Sequence, residues 1–154
     1  MKKVWMTIGR RLVEMPNQYA GVRTHENGRI TLLTDAALTL EYAAVKAGTD
    51  ANHVAVTAAS TDVPLGIAES KTDAAENEVA LRLFGKGGDT KAAVAGAQIA
   101  RLARVICTAA GKLITLPTAA GTYYVVGRAL TAAAADGDVF ELDDCHPVPV
   151  VVTE

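Results

Sequence analysis

Residues 78–83 of the chain read EVALRL. It alternates polar or small residues with large apolar ones, which is the pattern of a β-strand buried on one face. Similar short runs, separated by Gly, Pro and Asp, recur along the chain and predict further strands. These runs span residues 29–33, 42–45, 53–57, 65–68, 104–108, 112–116, 123–129, 139–142 and 148–152. Strands this short, at this spacing, are typical of an all-β small barrel or sandwich.

Local signals between the runs support the same interpretation. Asn27-Gly28, just before the first run, is a strong hairpin signal, since both residues accept the backbone conformation of a tight turn. Residues 72–77 and 131–135 are rich in Ala, the best helix former. Each segment is too short to form a stable helix, so we predict loops or single helical turns there.

The sequence also contains an internal repeat. PLGIA at residues 64–68 resembles VVGRA at residues 125–129, and each is followed by an Ala-rich link and a strand-like run. Gly66 thereby matches Gly127, and a glycine inside a strand marks a bulge or a close backbone approach. Chance similarity between Ala-rich sequences is the alternative. The ordered matches favour two related halves, at about residues 40–85 and 90–152, within a β-rich domain that spans residues 26–154.

Residues 1–25 differ from this domain. They hold the single Trp and all three Met of the chain, and no period of two or 3.6 runs through them. We predict an extended N-terminal arm that packs on the body or on a partner, with its apolar side chains buried on docking. The candidate contact residues are Val4, Trp5, Met6, Ile8, Arg10 and Arg11.

Composition argues against several classes of partner. The chain has 154 residues and a formal net charge of -2, whereas a nucleic-acid binder needs a surplus of basic residues on one face. No stretch approaches the roughly 20 apolar residues of a membrane span. Arg10, Arg11 and Glu14 interrupt the apolar run that a signal peptide would need. We therefore expect neither a nucleic-acid nor a membrane partner.

The histidines and cysteines do not form a recognisable site. His25, His53 and His146 are far apart and share no recurring spacing, so each is read as a surface or strand-end residue. Cys107 and Cys145 have no neighbours at metal-ligand spacing and are read as buried thiols. A fold can bring distant residues together, and a pocket uniting a histidine with an acid would favour an enzyme.

Acidic and glycine-rich segments have simpler explanations than ligand binding. Asp136-Gly137-Asp138 has the composition of a turn, and a calcium loop needs more oxygen ligands than it or Asp143-Asp144 supplies. Residues 85–88 read GKGG and lack the full spacing of a phosphate-binding loop. The sequence therefore predicts no catalytic residues, no metal site and no cofactor.

Several longer phrases resemble a known family. They are VKAGTD at 45–50, DVPLGIA at 62–68, TLPTAAGTYYVVGRA at 115–129, and the ending from AADGD at 134–138 to PVPVVV at 147–152. Together they are similar to the tailed-phage capsid decoration proteins, also called cement or head-stabilisation proteins. The resemblance covers about residues 28–152 and rests on sequence segments that have a structural and not a catalytic character. The first 25 residues do not fit the family pattern.

The resemblance implies a structural protein of the virion that is not an enzyme. It implies an all-β body, a homotrimer, and binding to the major capsid protein on the outer surface of the expanded shell, after assembly in the host cytoplasm. A trimer seated on several capsid subunits would gain avidity, because the second and third contacts become intramolecular.

Two other function classes stay open at this point. One is another phage structural role, such as a tail or head-to-tail component, built on a similar β body. The other is a carbohydrate-binding or adhesion module, which needs exposed aromatic side chains on a flat face. One Trp, four Tyr and two Phe supply such a face poorly.

Overall fold

A computed structural model describes residues 5–8, 11–14, 28–85 and 89–153 of the chain. These residues form thirteen strands and one short 3-10 helix, Ala109–Gly111, so the predicted all-β class is confirmed. The strands are β1 Trp5–Ile8, β2 Arg11–Glu14, β3 Arg29–Thr34, β4 Ala44–Ala47, β5 His53–Val56, β6 Gly66–Ala68, β7 Glu78–Leu83, β8 Lys91–Val94, β9 Arg104–Cys107, β10 Leu113–Thr115, β11 Gly121–Ala129, β12 Val139–Asp143 and β13 Val148–Val152.

The first half of the body is a closed barrel of five strands. Its order is β3-β5-β4-β6-β7, and β7 returns to pair with β3. All neighbours are antiparallel except β3 and β5, which run parallel where Leu33 and Thr34 face His53 and Val54. Closure removes free strand edges, which otherwise invite pairing with other chains.

The second half is a sheet with the corresponding strand order, β10-β9-β11-β12-β8. A single parallel bridge between Ala95, directly after β8, and Leu113 in β10 joins its two ends. This bridge occupies the place of the parallel β3–β5 pairing in the first half. One strand is additional, since β13 pairs with residues 121–125 at the start of the long strand β11.

The 61-residue offset of the sequence repeat recurs in the strand registers. Ala68 faces Leu81 between β6 and β7, and Ala129 faces Leu142 between β11 and β12. Hydrogen bonds outside the ladders repeat as well. The Thr34 amide donates to the Asn77 carbonyl at 3.0 Å, and 61 residues later the Ala95 amide donates to the Asp138 carbonyl at 2.8 Å. The internal repeat is therefore a repeat of structure.

The two strand glycines allow the close backbone approach that the sequence suggested. A Cβ atom added to Gly66 would lie 2.4 Å from the carbonyl oxygen of Arg82 on β7. A Cβ added to Gly127 would lie 2.4 Å from the carbonyl oxygen of Asp143 on β12, the corresponding atom of the second half. Only glycine lets both strand pairs approach to this distance.

Each half has an apolar interior, and one of the two cores extends across both halves. The first barrel is filled by Leu38, Val45, Val54, Ala68, Val79 and Leu81. The cluster of the second half includes residues of the first half as well, so the two halves are packed together. Its members are Ala44, Ile67, Phe84, Ala93, Ala95, Ile99, Val105, Cys107, Leu113, Val126, Ala129, Ala133, Phe140, Leu142 and Cys145.

The 3-10 helix makes direct contact between the halves. Gly111, with a φ of 72°, lies so close to the first barrel that an added Cβ would be 2.8 Å from the Cβ of Ala43 and from Cγ2 of Val56. Its amide donates to the Thr57 carbonyl at 3.2 Å, and the Thr57 hydroxyl donates to the Thr108 carbonyl at 3.0 Å. These bonds satisfy buried polar groups at the junction.

The structure differs from the predicted strands in three places. The run from residue 42 becomes a strand only at Ala44, because Tyr42 has a φ of 59°, which is incompatible with a strand. Strand β8 was not predicted, because KAAV shows no alternation and its Lys91 is buried. Strands β1 and β2 pair antiparallel within residues 1–25, which were predicted to be an extended arm and for which no strand was predicted. The Ala-rich segments 72–77 and 131–135 contain no helix, as predicted.

Two further sequence expectations fall partly outside the described residues. Asn27 of the predicted hairpin lies outside them, while Gly28 directly precedes β3. The linker predicted around residues 85–89 is described only at Gly85 and Asp89. Among the described helical residues there is no segment with the length and apolar character of a membrane-spanning helix.

Candidate functional site

The six residues predicted to contact a partner lie at or near the β1–β2 hairpin. Trp5, Met6 and Ile8 belong to β1, and Arg11 begins β2 and faces Ile8 across the pair. Val4 and Arg10 lie outside the described residues. The assignment of these residues to partner binding stays a prediction.

His53 is held between two carboxylates at one end of the first barrel. Its Nδ1 lies 2.7 Å from Oδ1 of Asp50, and its Nε2 lies 3.1 Å from both carboxylate oxygens of Glu76. Hydrogen bonds to Asp50 and then to Glu76 raise the pKa of His53, and the bond to His53 in turn lowers the pKa of Asp50. The ring joins the turn before β5 to the loop before β7, which is a structural role at a strand end.

The second half has a corresponding link with different chemistry. Nζ of Lys112, just before β10, lies 2.6 Å from Oδ1 of Asp136, in the loop before β12. The other acidic residue of this segment, Asp138, accepts hydrogen bonds from the amides of Ala134 and Ala135 at 2.8 and 3.0 Å. The Asp136-Gly137-Asp138 segment therefore forms a turn, as the sequence predicted. Within the described part of the chain, no three His, Cys, Asp or Glu side chains could hold a metal ion.

Both cysteines are free and buried. Burial raises the pKa of Cys107 to about 12 and that of Cys145 to about 11. Thiols with such pKa values carry almost no thiolate at neutral pH and are poor nucleophiles. His146 follows Cys145 in the connection between β12 and β13, and its amide donates to the carbonyl of Asp144 at 2.7 Å.

A polar groove of about 280 Å³ lies where the two halves meet. Its lining includes Tyr42, Glu69, Arg82 and Lys91. Glu69 is fully engaged, because Nη2 of Arg29 contacts both its oxygens at 2.7 Å and Nε of Arg82 donates to it at 2.9 Å. These bonds lower the pKa of Glu69, with Arg29 as the largest cause. A carboxylate held by two guanidinium groups is a poor general base, so the groove is better explained as a junction than as an active site.

The ribbon of β13 and the start of β11 carries two of the five exposed large hydrophobic residues in the described part of the chain. Val148 and Val151 are among the exposed large hydrophobic residues, and Val151 is 69% exposed. Residues 148–153 contain no charged side chain. Edge strands of soluble proteins are normally protected by charge, by proline or by cover, and within β13 itself Pro149 is the residue that offers such protection.

A second exposed site lies on the outer face of the second half. Arg104 on β9 and Arg128 on β11 face each other across the strand pair, and Arg128 is bound to Asp143 at 3.0 Å. Leu102, in the turn before β9, is 57% exposed and has a φ of 66°. Its amide donates to the carbonyl of Ala129 at 2.6 Å. Because Ala129 directly follows Arg128 in β11, this bond brings the backbone of Leu102 close to that of Arg128.

Comparison with known proteins identifies the family of this chain. The model of the phage cement protein family matches residues 33–143, more than half of the chain. The chain belongs to this family. The resemblance found in the sequence is thereby confirmed.

The cement family fold is also found in a solved structure. The crystal structure of the N base of head fiber gp8.5 in bacteriophage phi29 matches with a TM-score of 0.60 and 15% identity. The match covers 78% of this chain and 96% of that chain. At this identity the similarity concerns the fold alone. A search among curated proteins found no match.

Family membership makes the chain a structural, capsid-associated component of a phage particle. Surfaces, and not pockets, are therefore the relevant functional elements. Sequence reasoning missed the exposed face around Arg104, because Arg104 and Arg128 become neighbours only through the pairing of β9 with β11. Aligning the two halves could have found it, since these arginines replace the apolar Ala44 and Ile67 of the first copy.

Proposed function

We propose that the protein is a non-catalytic decoration protein that binds the outside of the expanded capsid as a homotrimer and stabilises the shell. The observation that carries this proposal is the cement family match over residues 33–143. The partner would be the major capsid protein, and the site of action the outer surface of the virion.

The physical character of the body supports this proposal. A closed barrel joined by a shared core to a second sheet is a rigid scaffold, and rigid scaffolds bind with little loss of conformational entropy. Two exposed surfaces carry apolar side chains, the β11–β13 ribbon and the turn at Leu102. Exposed apolar groups that lie together in one patch are typical of protein-binding surfaces.

Trimerisation would multiply weak contacts. After one subunit binds, the others bind at a high effective concentration, so modest individual affinities give a long-lived clamp. A large interface per chain is then not needed for tight binding.

The N-terminal hairpin is the proposed anchor of the clamp. Trp5, Met6 and Ile8 supply apolar groups, and aromatic residues contribute strongly at protein interfaces. Val4, Arg10 and Arg11 complete the proposed contact set. Removing residues 1–15 should abolish binding to the shell and leave the β-rich body folded, as measured by circular dichroism. Unchanged binding of the truncated protein would eliminate the hairpin as anchor.

The experiment that tests the function is co-sedimentation of the purified protein with expanded, undecorated capsids, with unexpanded proheads as control. Saturable binding to expanded shells, together with a higher temperature of shell disruption, is the expected result. A failure to bind either shell would refute decoration. Spontaneous formation of rings or tubes by the purified protein would favour a tail or head-to-tail role instead.

A further inference from the structure

The two halves of the chain differ most where their outer faces correspond. In the first barrel, Ala44 on β4 faces Ile67 on β6. Val45 and Ala68, the next residues along the two strands, fill the barrel interior, so Ala44 and Ile67 lie on its outer side. Both are nevertheless buried, at 0% and 2% exposure, because they belong to the core cluster shared with the second half. This face of the first barrel is therefore an interface within the chain.

In the second half the same two positions hold arginines. Arg104 faces Arg128 between β9 and β11, and both side chains are exposed. Like charges directly opposite each other on adjacent strands destabilise a sheet. Asp143 neutralises Arg128, but within residues 28–85 and 89–153 the guanidinium group of Arg104 makes no hydrogen bond or ion pair. The fold thus keeps Arg104 and Arg128 side by side, and the guanidinium group of Arg104 is available to bind a partner.

The adjacent turn carries a second unfavourable feature. Leu102 has a left-handed backbone, which is strained for a residue with a branched side chain, and more than half of its side chain is in solvent. Its counterpart in the first half is Tyr42, which has a φ of 59° and packs against the shared core. The same backbone conformation presents a side chain to a packed partner in one half and to solvent in the other.

A third arginine borders this leucine. Arg101 is exposed, and its Nε donates to the carbonyl of Leu130 at 3.1 Å, which fixes the base of its guanidinium group. Leu102, Arg104 and Arg128, together with Arg101, form what we call the arginine face. This face therefore offers three guanidinium groups, one carboxylate, Asp143, and one exposed apolar side chain, Leu102. Arg is enriched among the residues that contribute most to protein–protein binding.

The equivalent face of the first barrel, at Ala44 and Ile67, shows why the arginine face does not bind a second copy of this chain. The surface that covers Ala44 and Ile67 is apolar and belongs to the second half of the same chain, so in every copy it is already covered. The arginine face, moreover, has the wrong character for that apolar surface. It calls for an acidic protein surface with an apolar recess for Leu102.

We propose that the arginine face binds an acidic surface of the shell protein and inserts Leu102 into an apolar recess there. This inference rests on the proposed decoration function and adds the site on this chain and the chemistry of its partner. The anchor at the N-terminal hairpin and the arginine face would be two contacts of one clamp.

Two variants separate binding from folding. Leu102→Asn removes the apolar anchor, and Asn tolerates the left-handed backbone, so the melting temperature should stay level or rise. Arg104→Glu replaces the repulsion with Arg128 by attraction, so it too should not destabilise the body. The matched controls are Val63→Asn and Lys71→Glu. Val63 is 60% exposed, close to the exposed fraction of Leu102, and Lys71 is another exposed cation of the body.

The measurement is the dissociation constant for expanded, undecorated capsids at two salt concentrations. We expect about a ten-fold loss of affinity for Leu102→Asn and about a hundred-fold loss for Arg104→Glu, with the controls unchanged. The affinity of the wild type should fall with added salt, and that of Arg104→Glu should respond less.

The outcomes distinguish the two proposals. If the wild type binds shells and both variants bind equally well, the arginine face is refuted and decoration stands. If the wild type does not bind, decoration fails and the inference falls with it. If light scattering shows that the variants change the mass of the soluble protein, the face joins copies of this chain, and the proposed shell contact is wrong.

Discussion

Replacing Gly66 or Gly127 by alanine would force a methyl group against the backbone of the facing strand. In each case the added Cβ would lie 2.4 Å from a carbonyl oxygen, that of Arg82 or that of Asp143. Ordinary contacts of a Cβ begin at 3.4 Å, so the two strands would have to separate locally by about 1 Å. Both carbonyls belong to strands that are paired on either side, which resists such a shift.

The expected cost follows from this geometry. Overpacking of a well-ordered interior costs about 1–3 kcal/mol, and a clash with backbone belongs at the upper end. Alanine recovers about 0.5–1 kcal/mol by restricting the unfolded chain. We therefore expect each variant to lose about 2 kcal/mol in the free energy of unfolding. For a chain of this length this corresponds to a fall of about 4–8 °C in melting temperature.

The assay is urea unfolding followed by circular dichroism, with melting temperatures as a second readout. Gly137→Asn is the control, because an added Cβ at Gly137 meets no atom within 4 Å and its counterpart Glu76 already adopts a φ of 61°. It should change stability by less than about 0.5 kcal/mol. Two alanine variants as stable as the wild type would refute the close approach. A loss at only one of them would refute the equivalence of the two halves.

Three further predictions concern other parts of the body. The raised pKa of His53 means that its interactions stabilise the fold fully below the unfolded-state pKa and are lost as pH rises through the folded-state pKa. The urea midpoint of the wild type should therefore fall more between pH 6 and pH 9 than that of His53→Gln, and parallel curves would contradict this. Cys107 and Cys145 should react with a thiol reagent at pH 8 only as fast as the protein opens, and rapid labelling of native protein would show that they are not buried. Thr57→Val should cost about 1 kcal/mol, because it leaves the half-buried carbonyl of Thr108 without the hydroxyl that joins the halves, and an unchanged urea midpoint would count against that bond.

Much of the fold was predictable from the sequence because half-buried strands leave a local pattern. EVALRL alternates between polar or small and large apolar residues. Residues 78–83 form β7, and two of its large apolar residues face the barrel interior. The repeat was visible because Gly66 and Gly127 are required by the same backbone contact in each half. Such patterns depend only on residues that are close together in the sequence, so they can be recognised without the tertiary structure.

The parts that were missed depend on contacts between distant residues. Strand β8 is held by pairing with β12 and by burial of Ala93 and Val94, and its own sequence, KAAV, has no strand signature. The left-handed backbone at Tyr42 recurs at Leu102, whose side chain is exposed, so it belongs to the shared backbone path of the two halves, and no local rule anticipates it for these two residue types. At β8, tertiary packing overrode local propensity.

Comparison of the two halves within one chain is the most informative guide to the binding surface. Both halves must satisfy the same registers and the same backbone contacts, so residues that serve the fold are alike, as Leu81 and Leu142 are. Positions that differ are free of that requirement. Where Ala44 and Ile67 close an interface inside the chain, Arg104 and Arg128 keep the same strand positions in solvent, at a cost in repulsion. If this face of the second half had no binding partner, we would expect ordinary polar residues on it. It instead combines paired arginines with an exposed, strained Leu102. That combination is unfavourable for the isolated protein and favourable only in contact with an acidic partner, which is why we assign this face to binding.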